Sequence, residues 1–209
     1  FRYHNGARVD GRLLAAAFEK SADSRGLERL SASVEKLEIK GEVVTGVQVE
    51  GETFSASTVA IAGGAWCDAF GHQLHVKIPV TPQRGQIIHL GLGDVDTSDW
   101  PIVSALRGHY MVPWPDSRVV VGATRETGSG FDTRTSAEGV QEVIGEALRV
   151  APGLANAEIL DIRVGLRPYT EDNLPVMGPV PGFKNILLST GHGPTGLQLG
   201  PYSGKVISD

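Results

Sequence analysis

Between residues 28 and 61 the apolar positions recur with a period of two, and this stretch limits most what the chain can become. Val34, Leu37 and Ile39 alternate with polar residues. Val43, Val44, Val47 and Val49 continue beyond Lys40-Gly41, and Phe54 and the run Val59, Ala60, Ile61 follow the Glu50-Gly51 turn. Alternation of this kind gives a strand one buried and one solvated side, so it predicts a β-meander that closes on a buried strand. Helical spacing flanks it. Leu13, Leu14, Ala17 and Phe18 form one stripe behind Asp10, a natural N-cap, and predict a helix up to Arg25 that Gly26 stops. Residues 1–9 read as an exposed strand or tail, and a short helix is expected near Ala65 after Gly63-Gly64.

The middle returns to strands. These are residues 79–90, bent at Gly85, then 102–105, 110–113 and 119–123, with Pro115-Asp116 marking the turn between the last two. A polar loop follows at 125–134. Val140, Val143, Ile144, Ala147 and Leu148 share one face of a helix over 136–150, which Pro152-Gly153 ends. A strand at 159–166, a proline-rich turn at 168–181, a short strand at 186–189, a glycine loop at 191–196 and a helix over 197–207 complete the chain. Strands and helices do not alternate regularly. The expected class is therefore α+β with a large mixed or antiparallel sheet, not a complete doubly wound fold.

Length and composition narrow the function. The chain has 209 residues, enough for one large domain or two small ones, with an ordinary globular composition of 41% hydrophobic and 21% charged residues. A net charge of −5 argues against a nucleic-acid partner. Cys67 is the only cysteine, so no internal disulfide and no multi-cysteine metal site is expected. His4, His72, His75, His89 and His109 lack metal-ligand spacing, and no metal is expected. There is no apolar run of membrane-spanning length and no signal peptide, so a cytoplasmic location is favoured. The chain begins at Phe1 and ends inside an expected helix, and it reads as a piece of something longer.

The densest chemistry lies in the last quarter. Gly165, Leu166, Arg167 and Pro168 set an arginine at the end of a strand expected to be buried, with Thr170, Asp172, Pro175 and Gly178 behind it. Arg167 is either one half of an ion pair with Glu171 or Asp172, or a guanidinium that grips a ligand carboxylate through two parallel hydrogen bonds. The stretch Ser189, Thr190, Gly191, His192, Gly193, Pro194, Thr195, Gly196, Leu197 is a strand, a glycine loop and a helix start. It is either a tight turn or a loop whose backbone N–H groups face a ligand with anionic character.

Residues 165–204 resemble the C-terminal signature of the D-amino-acid oxidase, glycine oxidase and sarcosine oxidase superfamily, roughly G-x-R-P-x-T-x-D-x-x-P-x-x-G followed by a strand and a G-H-x-x-x-G loop. Three further segments are similar to that family in the same order: Val9 to Leu14, Ala62-Gly63-Gly64-Ala65-Trp66, and the hairpin from Tyr110-Met111-Val112-Pro113 to Val121-Gly122-Ala123-Thr124. The glycine-oxidase-like branch is the most similar. The resemblance implies FAD as cofactor, a small amine or amino-acid substrate, and hydride transfer from the substrate carbon to the flavin. It implies that Arg167 binds the substrate carboxylate and that Tyr110, otherwise a half-buried sheet tyrosine, hydrogen-bonds the substrate. Val34, otherwise a core valine, would contact FAD. So would Gly64, Trp66 (otherwise structural packing) and the loop residues His192, Gly193, Pro194, Thr195, Gly196 and Leu197. His192 is either a hydrogen-bond donor near the flavin or a loop histidine satisfied by backbone. Arg84 would lie close to the ring and serve electron-acceptor chemistry.

The sequence departs from the family pattern in two places. Pro194 stands where some relatives carry an arginine, and no G-x-G-x-x-G follows a strand. Gly191, Gly193 and Gly196 match those letters alone, without the βαβ context. The chain is therefore expected to be a family member truncated at the N-terminus and inactive by itself. Residues 1–75 would be a partial FAD-binding region with the meander, 76–160 a substrate-binding sheet domain, and 161–209 the C-terminal strand, loop and helix that contact FAD. A quinone-linked dehydrogenase of the same family and a catalytically silent binding module are the alternatives, with homo-oligomerisation left open.

Overall fold

A computed structural model describes residues 6–209. The expectation for residues 1–9 lies largely outside the described residues, and so does His4. The chain divides into two compact units. One is built from Asp10–Pro82 and Arg167–Asp209; the other from Gln83–Leu166 with residues 6–9. The expected segments 1–75 and 161–209 thus fall mostly in one unit.

In the first unit, α1 (Gly11–Asp23) starts where the sequence signals it. The Asp10 carboxylate accepts from the N–H groups of Arg12 at 2.9 Å and Leu13 at 3.2 Å. No residue of α1 is buried; Leu13 is 72% exposed. The meander follows as β1 (Lys36–Lys40), β2 (Val43–Val49) and β3 (Glu52–Ser55), antiparallel in that order. The next strand, β4 (Val59–Ile61), leaves the meander. It pairs in parallel with β12 (Ile186–Thr190), and β12 also pairs antiparallel with β11 (Val176–Pro179). Asn185 ties the two sheets. Its Oδ1 accepts from Val44 N, and its Nδ2 donates to the carbonyls of Val44 and Ser57. Leu37, Val44, Ile61, Cys67, Leu74, Ile78, Val80, Ile186 and Leu188 form the core. A 3-10 turn (Gly64–Phe70) and the short α2 (Gly71–Leu74) cover it, and α4 (Gly196–Ser208) ends the chain.

The second unit is a six-stranded sheet with α3 (Ala137–Val150) on one face. Its strands are β5 (Thr81–Gly91), β6 (Val103–Ser104), β7 (Tyr110–Trp114), β8 (Arg118–Gly122), β9 (Glu126–Thr127) and β10 (Glu158–Tyr169), of which Thr81, Pro82 and residues 167–169 belong to the first unit. The order is β10-β5-β8-β7-β6, with β9 also on β5. Ile88, Leu90, Met111, Val119 and Val121 meet Val143 and Ala147 of α3 in the core. Side chains alternate across a strand, so Ile87, Tyr110, Val112, Val120 and Gly122 belong to the face away from α3.

The α+β class with antiparallel sheets is what the strand pattern implied. Local differences have physical causes. The expected proline-rich turn contains β11, whose proline is tolerated because β11 is an edge strand. The strand expected at 159–166 runs on to Tyr169 and takes in Arg167. A two-residue strand, β9, forms inside the expected polar loop. Among the described residues no helix is long and apolar enough to cross a membrane, and no group of three or more His, Cys, Asp or Glu is placed to hold a metal ion.

Candidate functional site

Because β4 and β12 run in parallel as neighbours, the segments after them leave the sheet at the same end, where open α/β sheets bind ligands. Residues 62–66 follow β4 and the glycine loop follows β12. The buried Thr190 joins them: its hydroxyl donates to the Gly64 carbonyl at 2.8 Å. Gly191 has φ +76°, and a Cβ there would lie 2.9 Å from Thr170 Cγ2 and 3.0 Å from Val176 N, so no side chain fits. The loop also reaches the motif that carries Arg167. A Cβ on Gly193 would stand 3.9 Å from the carbonyl oxygen of Pro168, the residue after Arg167. Leu197 lies over the start of α1, with its Cδ2 3.2 Å from where a Cβ on Gly11 would be. Three of the four sequence segments, with Arg167, therefore belong to one unit. Arg167 itself is half-buried in β10 rather than fully buried as expected.

The loop leads into a helix end. The Thr195 hydroxyl donates to the His192 carbonyl at 2.8 Å and does not cap α4, which starts without a side-chain cap directly after a 3-10 turn at Gly193–Thr195. The positive end of this thirteen-residue helix favours an electron-rich ligand edge. Pro194 and Leu197 are exposed, and His192, Gly193, Thr195 and Gly196 are half-buried. His192 is held by a side chain. Its Nε2 pairs with the hydroxyl of the buried Ser203 on α4 at 2.8 Å, so a side chain, not the backbone, holds the ring. Trp66 is 55% exposed and Val34 40%. Val34 precedes β1 by two residues.

In the other unit, Tyr110 is half-buried on the sheet face away from α3. Arg84 is not an available cation. It donates to Glu126 Oε2 from Nε at 2.7 Å, pairs with Asp132 at 2.9 Å and reaches the Arg134 carbonyl at 3.2 Å. The Thr124 hydroxyl at 2.6 Å and the fully buried Gln86 amide at 2.7 Å occupy the other Glu126 oxygen. The sequence shows Arg84 but not this polar cluster; the one hint was the polar residues Gln83, Arg84 and Gln86 ahead of the apolar Ile87 and Ile88 in one strand. Thr190 and Ser203 were likewise missed, although a serine in a helix interior is a weak hint of a tertiary partner.

Burial pushes the Glu126 carboxyl up, but hydrogen bonds from Thr124, Gln86 and Arg84, with the charge of Arg84, outweigh it and hold the group below its ordinary value. A carboxylate depressed on folding contributes stability above its unfolded pKa and loses it as pH falls through the folded value. The contribution is thus complete above about pH 5 and fades at more acid pH. Glu126→Gln is expected to cost about 2 kcal/mol at pH 7. Melting curves should show the gap to the parent closing toward pH 3; a gap independent of pH would contradict this assignment.

Comparison with known proteins gives the same picture over the whole chain. The sequence profile described as FAD dependent oxidoreductase matches residues 1–209. An uncharacterized oxidoreductase of Bacillus subtilis, YurR, is 38% identical over 97% of this chain and 54% of its own length. The iminodiacetate oxidase of Chelativorans sp. BNC1 superposes with a TM-score of 0.92 at 41% identity, over 96% of this chain and 54% of that one. The glycine oxidase of Geobacillus kaustophilus superposes with a TM-score of 0.82 at 31% identity, over 94% and 52%. The chain spans about half the length of these relatives. With its glycine loop, its uncapped α4 and motifs that follow the family order, it belongs to the FAD dependent oxidoreductase family.

Proposed function

We propose that the protein oxidises the C–N bond of a small amino acid or secondary amine that carries a carboxylate, with FAD as its cofactor. The observation that carries this reading is the approach of the Gly191–Gly196 loop to the Pro168 carbonyl, which puts the Arg167 segment and the uncapped end of α4 in one unit. The iminodiacetate and glycine oxidases among its relatives support the substrate class.

The residues fit a flavin. Residues 192–197 and the positive end of α4 would hold the flavin and favour its anionic reduced form. The backbone at Val34 and Gly64 and the exposed Trp66 would add contacts. The flavin supplies the acceptor for the hydride from the substrate carbon, and the imine product hydrolyses to an oxo acid and ammonia or an amine. Arg167 holds the substrate carboxylate with its two-pronged guanidinium and so fixes the orientation of the neighbouring carbon. Tyr110 gives the substrate a hydrogen bond. No side-chain base is required, provided the amine is neutral.

The test is reduction of the bound flavin without oxygen. Iminodiacetate or glycine is expected to bleach the visible flavin band of the holoprotein. No bleaching by iminodiacetate, glycine or sarcosine would overturn the proposal.

A further inference from the structure

Gly122 stands opposite Tyr110 on β7 and opposite Ile87 on β5. All three belong to the sheet face away from α3. A Cβ on Gly122 would meet Ile87 Cγ2 at 2.7 Å, Tyr110 Oη at 3.2 Å and Tyr110 Cζ at 3.3 Å. Of the Tyr110 ring, the atoms that come closest are those at the tip of the phenol. The ring therefore leans across β8 and its hydroxyl end occupies space that any other residue at 122 would fill. Cross-strand neighbours on one face of a sheet commonly interact in this way, and an aromatic ring can cover a glycine for stability alone. Here the contact falls on the one polar atom of the side chain. The missing Cβ thus decides where that atom lies above the sheet.

We propose that Gly122 is a positioning residue: by leaving β8 bare it sets the place of the Tyr110 hydroxyl and thereby the hydrogen bond that this hydroxyl gives the substrate. The inference rests on the substrate role of Tyr110 proposed above. A Cβ at 122 must move Ile87, the tighter contact at 2.7 Å, and also presses on the phenol tip, which stands only 3.2–3.3 Å away.

Two measurements on the protein test it. The first is kcat/KM with iminodiacetate as probe for the parent, Gly122→Ala, Tyr110→Phe and the double variant. Gly122→Ala is expected to lower kcat/KM about tenfold when the hydroxyl is present, and by less than about twofold in the Tyr110→Phe background, where there is no hydroxyl to misplace. The phenylalanine ring still covers the glycine, so a role in stability alone predicts equal losses in both backgrounds, and that result overturns the inference. The second needs no turnover: in 3-fluorotyrosine-labelled apoprotein, the 19F resonance that Tyr110→Phe removes is expected to shift in Gly122→Ala. An unmoved resonance overturns the inference by itself. A shifted resonance with a kinetically silent Tyr110→Phe overturns the substrate role of Tyr110 instead and with it the kinetic consequence. If Gly122→Ala does not fold, Ile87→Ala with Gly122→Ala relieves the 2.7 Å contact and leaves the contact with the phenol to be measured in the same two ways.

Discussion

Replacing Arg167 with alanine is expected to raise KM for carboxylate substrates by orders of magnitude and to leave amines without a carboxylate almost unaffected. The guanidinium offers two parallel donors that match the two oxygens of a carboxylate, and no other side chain reproduces that geometry. Arg167 is half-buried, so the pair it forms is partly withdrawn from water. Truncating one partner of a desolvated, hydrogen-bonded charge pair costs about 2–5 kcal/mol, which is about 30-fold to several thousand-fold in affinity. Lysine at 167 keeps the charge but not the fork and should recover only part of the loss. Steady-state kinetics on iminodiacetate beside an amine of similar size without a carboxylate decides the matter. If both substrates suffer equally, Arg167 holds the fold or the cofactor rather than the carboxylate.

The second large effect has the opposite sign to the one helix propensity suggests. Gly139→Ala in α3 is expected to destabilise the protein by about 3 kcal/mol, a fall in Tm of roughly 10 °C for a chain of this size. In an open helix the same change stabilises by about 1 kcal/mol. The cause is Gln86. Its side chain is fully buried, and it lies where a Cβ on residue 139 would go, with Nε2 at 2.0 Å and Cδ at 2.6 Å from that position. The amide cannot swing aside without losing its bonds to Glu126 and to the Ser136 hydroxyl, and the bond it accepts from Ser136 N. Gly145 supplies the control, because it lies in the same helix, is exposed, and has nothing within 4 Å of its Cβ position. Gly145→Ala should raise Tm while Gly139→Ala lowers it, and removing the Gln86 side chain together with Gly139→Ala should make the two changes less than additive. Equal melting temperatures for Gly139→Ala and the parent would mean that Gln86 moves freely and that the polar cluster is not a rigid part of the unit.

The sequence showed Arg84 without that cluster. As a basic residue on a strand in a family where this segment runs near the flavin, it suggested a role in electron-acceptor chemistry. Its partners Glu126 and Asp132 are more than forty residues away in the chain and come back to it only because β9 pairs with β5. Trp66, which follows the buried β4, is more than half exposed.

Much of the architecture was nevertheless legible in the residues. The N-caps Asp10 and Ser136 start α1 and α3 where expected, because a cap is a contact between residues two or three apart. The period-two runs become β1, β2, β5, β7 and β8, because alternation is a property of one strand and needs no partner to be visible. The order of the four motifs was enough to name the family. What only the tertiary structure decided is which strands meet and what each polar group finds there. Residues about 125 positions apart had to come together before β4 could pair with β12, and before Thr190 could hold Gly64 beside the glycine loop. The space that Gln86 takes at Gly139, and the Tyr110 phenol at Gly122, is likewise invisible in the chain: a glycine in the sequence records that a side chain is missing, and only packing shows which neighbour fills the gap.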